Sequence, residues 1–164
     1  MTARRVLLLM LLLCLLPPLA AWFSYHWWQP EAGKSYGRLL PLQALAIAGH
    51  AAWPQGRWVL VTQQGAGACE QACQQRLHAM RQIHLALGEA APRLRRVVLY
   101  QPPASPAQGD GLLALPGEVA NAHGPGFYLI DPQGRQLLFY ADTLSPPAII
   151  RELTMLLRVN NGLG

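Results

Sequence analysis

From Val6 to Trp28 the chain carries no Asp, Glu, Lys or Arg, with Arg4 and Arg5 standing before the run and Trp22, Trp27 and Trp28 near its far end. A helix needs ~20 apolar residues to cross a bilayer, where no water satisfies backbone groups. The run therefore predicts a membrane-spanning helix, with its positive end cytoplasmic and aromatic rings at the far interface. The competing reading is a cleaved signal peptide, for which Pro17-Pro18 and Leu19-Ala20-Ala21 speak, although no A-x-A cleavage pattern occurs. Either reading exports the remainder of the chain.

Beyond the apolar run the period changes several times. Residues 29–55 mix Pro, Gly and Ala with short apolar patches and read as a linker and lead-in. Arg57-Trp58-Val59-Leu60-Val61-Thr62 is a β-rich run bounded by glycines, the pattern of a buried strand. After Cys69, residues Ala72, Leu77, Met80, Ile83, His84 and Leu87 recur at helical spacing, and Gly88 stands where a helix stops. Residues 94–100 predict a second strand, parallel to the first across a βαβ crossover.

Residues 101–111 are rich in Pro, Gly and Ala, and 112–122 predict at most a short helix broken by Pro116. Residues 126–130 and 135–140 predict an antiparallel hairpin, joined by Asp131-Pro132-Gln133-Gly134, the chemistry of a type I turn. Pro146 and Pro147 suit the first turn of a last helix with an apolar stripe of Ile149, Ile150, Leu153, Leu156 and Leu157, ended by Asn160-Asn161-Gly162. This order, β-α-β, a reduced crossover, then β-β-α, is that of an α/β thioredoxin-like fold. The expected organisation is a cytoplasmic stub and anchor over 1–28, a linker and lead-in over 29–55, and a thioredoxin-like domain over 56–164.

The charge, +5 with a pI near 9.6, changes little. Arg93, Arg95 and Arg96 form the one cluster beyond the N-terminus, and no stretch interleaves basic with aromatic residues. A nucleic-acid partner is not expected.

The chemistry lies in the cysteines. Cys14 falls within the span, whereas Cys69 and Cys73 are four apart at the junction of strand and helix. Unpaired N–H groups and aligned peptide dipoles at a helix N-terminus favour the thiolate. At this spacing the two sulfurs share a face, close enough to hold a soft metal ion or to close a disulfide after local adjustment. An exported chain with two cysteines so placed suits a functional pair better than two unconnected thiols. His78 and His84 lie on the helix away from the pair, and His26 and His50 suggest nothing. His123 precedes Gly124-Pro125-Gly126 and the third strand, whose N-terminal loop approaches the cysteine loop in this fold.

Three segments resemble the Sco/SenC family of copper-delivery and thiol-redox proteins that mature the copper site of cytochrome c oxidase. They are Gly56-Arg57-Trp58-Val59-Leu60-Val61, the Cys69-x-x-x-Cys73 pair, and His123 followed five residues later by Tyr128-Leu129-Ile130-Asp131-Pro132-Gln133-Gly134. The resemblance is to a short, divergent member, because the Cys73–His123 connection is shorter than usual and no proline flanks either cysteine. It implies a copper site of Cys69, Cys73 and His123. It also implies an assembly factor in a bacterial-type inner membrane, with its C-terminal domain periplasmic, working on the oxidase copper-site subunit or on other assembly factors. A general thiol–disulfide oxidoreductase, in which Cys69 attacks, Cys73 resolves and Pro125 serves as the cis-proline, and a non-catalytic membrane-tethered scaffold are the alternative expectations.

Overall fold

Arg4, Arg5 and the uncharged run up to Trp27 form one helix, α1 (Ala3–Trp27), in a computed structural model that describes residues 3–27, 35–120 and 122–160. At ~1.5 Å per residue such a helix exceeds the ~30 Å of bilayer hydrocarbon. Over Ala3–His26 it is apolar enough to cross a membrane. Trp28, most of the residues just after it, and the Asn161-Gly162 helix stop lie outside the described residues.

A second compact unit begins at Ser35. Its strands are β1 (Arg38–Leu39), β2 (Trp58–Gln63), β3 (Leu94–Tyr100), β4 (Leu112–Pro116), β5 (Gly126–Ile130) and β6 (Gln136–Ala141). Its helices are α2 (Gln71–Ala86) and α3 (Pro146–Val159). The six strands form one sheet in the order β1-β6-β5-β2-β3-β4. β2, β3 and β4 run parallel, while β5 is antiparallel to β2 and β6 to β5.

The sheet is buried on both faces because successive strand residues point to opposite sides. Trp58, Leu60, Leu94, Phe127 and Leu129 pack under Met80 and Ile83 of α2 and Ile149, Leu153 and Leu157 of α3. Val59, Val61, Val97, Leu99, Tyr128 and Phe139 face the other way. There they meet Leu40, Leu45 and Trp53, so from Ser35 on the expected linker and lead-in is packed into the domain.

The hairpin turn is as expected: Gly134 N–H donates to the Asp131 carbonyl at 2.9 Å, and the Asp131 carboxylate accepts the N–H groups of Gln133 and Arg135. Gly134 sits at φ +81°, and a Cβ there would lie 2.6 Å from that of Ala48. The short helix expected within 112–122 is instead the strand β4. Leu112 packs toward the helix face and Leu113 and Leu115 toward the other, a period of two. Pro116 is tolerated because β4 lies at the sheet edge, where a missing N–H breaks no inner ladder.

A candidate redox site at the mouth of α2

β2 runs out at Gln63, and a loop of small residues carries the chain over the sheet end into α2. Gln64, 1% exposed, fixes that loop: its backbone N–H donates to the Leu99 carbonyl, and its side-chain amide donates to the carbonyls of Gly67 and Ser105 and accepts from Ala107 N–H. The residues just before Cys69 are thereby tied to the loop after β3.

Cys69 and Cys73 are joined by a disulfide, with their Cα atoms 5.2 Å apart. Cys73 lies in the first turn of α2, and Cys69 just before its N-cap Glu70. The Glu70 side chain makes no capping bond, so the first amides of α2 remain available to stabilise negative charge nearby. Gln74 Nε2 donates to the Cys69 carbonyl at 3.1 Å. Both cysteines are half-buried.

Arg76, one turn beyond Cys73, clamps this junction. Its Nε donates to both carboxylate oxygens of Asp142, at 3.0 and 2.9 Å, and its Nη1 donates to the Gln63 carbonyl at 3.2 Å. Asp142 N–H in turn donates to the Pro125 carbonyl. Two cavities meet at Arg76. One, of about 240 Å³, lies between Ala72 and Ala79 of α2 and Phe127, Leu144 and Pro146. The other, of about 330 Å³, is bounded by Gln63, Gly65, Gln101, Ala122, Gly124 and Pro125. Ala72, next to Cys73, lines the first, and Arg76, one turn on, lines both.

His123 lies in the loop bordering the second cavity, but its ring is turned to Phe139, with centroids 5.7 Å apart. Its backbone N–H donates to the Tyr128 hydroxyl at 2.7 Å, and Tyr128 packs on Phe139 at 4.8 Å. Burial raises the Tyr128 pKa, which keeps this hydroxyl neutral. Both aromatic rings belong to the cluster on the sheet face opposite α2.

Two thiolates and an imidazole suit a soft ion such as Cu(I). In the arrangement described the sulfurs are bonded to each other, and among the described residues no group of three His, Cys, Asp or Glu side chains gathers as a metal site. The donor chemistry fits copper only once the pair is reduced.

The pair and the position of its helix were legible in the sequence. Gln64, Arg76 and Asp142 were not singled out, and Tyr128 only as part of the motif that follows His123. The available signal was polar residues directly following a buried strand, at Gln63-Gln64. The expected cis-proline is corrected: the cis peptide described is Pro102–Pro103, not Gly124–Pro125.

A family described as transmembrane-like, thioredoxin-like, C-terminal domain matches residues 58–160. Among curated proteins, none matches the chain in sequence. A crystal structure of Arabidopsis thaliana ScoI with copper bound is similar at 15% identity, covering 64% of this chain and 86% of that one, with a TM-score of 0.50. Solution structures of apo Sco1 from Thermus thermophilus align at 18% identity over 79% and 99% of the two chains, with a TM-score of 0.48. Bradyrhizobium japonicum ScoI with copper bound aligns at 14% over 73% and 98%, with a TM-score of 0.45. At such identities the first of these likenesses speaks for the fold, and that fold is the thioredoxin-like one expected from the Sco/SenC resemblance.

Proposed function

Because this chain belongs to the family of transmembrane-like, thioredoxin-like C-terminal domains, we propose that it is a membrane-anchored thiol–disulfide protein that prepares the copper site of cytochrome c oxidase. α1 would hold it in a bacterial-type inner membrane with its N-terminus cytoplasmic and the second unit periplasmic, as Arg4 and Arg5 before the span favour.

The observation that carries this reading is the half-buried Cys69–Cys73 disulfide at the mouth of α2. A client thiolate attacks one sulfur, forming a mixed disulfide and expelling the other as thiolate. The second client thiol then displaces the first bond, so the client leaves oxidised and the pair reduced by two electrons. In the opposite direction, a dithiol reductant reduces the pair, Cys69 attacks a client disulfide, and Cys73 resolves the mixed species. The amides of α2 lower the cost of the thiolate in both directions, Gln64 holds the approach loop, and the Arg76–Asp142 clamp fixes α2 against the strand ends.

A Cys73→Ser variant of the full chain should accumulate a mixed disulfide with the copper-site subunit of the oxidase or with another assembly factor, detected on non-reducing gels. Complete oxidase activity in cells carrying both Cys→Ser changes would instead point to a scaffold.

A second reading is favoured by the donor set: the reduced pair and His123 hold Cu(I) as cargo for the oxidase. Copper would then supply a soft ion that bridges thiolates during transfer. Titrating the reduced full chain with Cu(I) should give tight binding that weakens at least ~10-fold in His123→Ala, the loss of one ligand. Equal affinity in both proteins would remove His123 from the site.

A further inference from the structure

Away from the cysteines, β3 places Arg96 on the sheet face that α2 covers. The residue is 8% exposed, yet among the described residues its Nε has no hydrogen-bond partner, and its Nη2 donates to the backbone carbonyl of Asp110. A guanidinium carries five N–H donors, and burying one unsatisfied is costly. Natural cores rarely keep such a group without a use for it.

A cavity of about 200 Å³ opens at this side chain. His78 and Arg81 of α2 line one wall, Arg96 the floor, and Gln108 and Asp110 of the β3–β4 loop the other wall. Two guanidinium groups against one carboxylate leave a net positive charge beside the His78 ring. The Arg96 pKa is lowered first by burial and then by the Arg81 charge, with Asp110 acting the other way. A bound anion would relieve both the desolvation and the repulsion.

We propose that this cavity binds a phosphate-class oxyanion, with Arg96 and Arg81 as its principal donors. Guanidinium forks match the oxygens of such anions in pairs. Donors reaching in from the sheet, the helix and the loop suit a tetrahedral group better than a planar carboxylate, whose lone pairs lie in one plane. The assignment is independent of any reading of the cysteine pair.

The test follows thermal unfolding of the full chain in detergent while sodium phosphate is raised through the millimolar range, against sodium chloride at matched ionic strength. Phosphate should raise the midpoint saturably and chloride should not. Arg81→Gln, at an exposed position, should weaken the apparent affinity ~10-fold or more, and Arg96→Met should abolish it. A free anion and a lipid phosphomonoester present the same group. Saturation in lipid-free detergent assigns the site to the free anion, and protection seen only in nanodiscs carrying phosphatidic acid, and lost in Arg81→Gln, assigns it to a headgroup. No protection beyond chloride in either setting, or protection undiminished in Arg81→Gln, would overturn the proposal.

Discussion

His84, at the far end of α2 from the cysteines, shares an Nε2–H hydrogen bond with the Leu94 carbonyl at 3.1 Å. Burial lowers its pKa from the ordinary 6.5, with the nearby Arg96 adding to the effect. The unfolded chain therefore takes up this proton before the folded one. The stabilisation is complete above pH 6.5 and is lost as pH falls from there toward the lowered folded value. Urea midpoints of the full chain should thus drop as pH falls below about 6.5, and His84→Gln should flatten that drop. A slope unchanged by the substitution would assign the effect to other groups. At this same scale lies the reason only part of the site was legible beforehand. Cys69 and Cys73 advertise themselves by spacing, since both partners lie on one turn. Gln64 meets Ser105 and Ala107, 41 and 43 residues on, and Arg76 meets Asp142, 66 residues on. Such partners are chosen by the folded sheet, and no local pattern encodes them.

β5 and β6 approach closely where the His123 loop enters the sheet. Gly126 pairs with Ala141, and its carbonyl accepts the Thr62 hydroxyl at 3.0 Å. A Cβ at Gly126 would come within van der Waals overlap of the Tyr140 carbonyl and lie 2.8 Å from the Phe139 ring. Gly126→Ala should therefore destabilise the domain by about 1–3 kcal/mol, the usual range for overpacking. Because Phe139 also seats the His123 ring, His123 side-chain resonances should shift as well. A urea midpoint within error of wild type would show that the hairpin relaxes freely. The buried strands and amphipathic helices were readable from period alone, as α2 shows with Met80 and Ile83 inward and Gly88 at φ +54° just beyond it. β4 was misread because Pro116 is a poor strand former in general, and only its edge position removes the penalty. β1 spans two residues, too few for any period to register.

The reach of the Cys69–Cys73 bond within the whole molecule is small. It closes a loop of about five residues, so the entropy model gives it roughly 2 kcal/mol of stability. The domain draws most of its stability from two apolar layers across one sheet. Reduction should accordingly leave it folded, with a thermal midpoint lowered by several degrees and an unchanged far-ultraviolet spectrum. Cooperative unfolding on reduction would contradict that account and would make cycling of the pair incompatible with a persistent fold. The margins of the sheet bear on a different hazard. Chains concentrated in a plane collide more often than chains in bulk, and exposed ladders invite edge-to-edge polymerisation. One margin here offers two residues, and the other is a five-residue strand that terminates at a proline, so an incoming strand meets only a short ladder on either side.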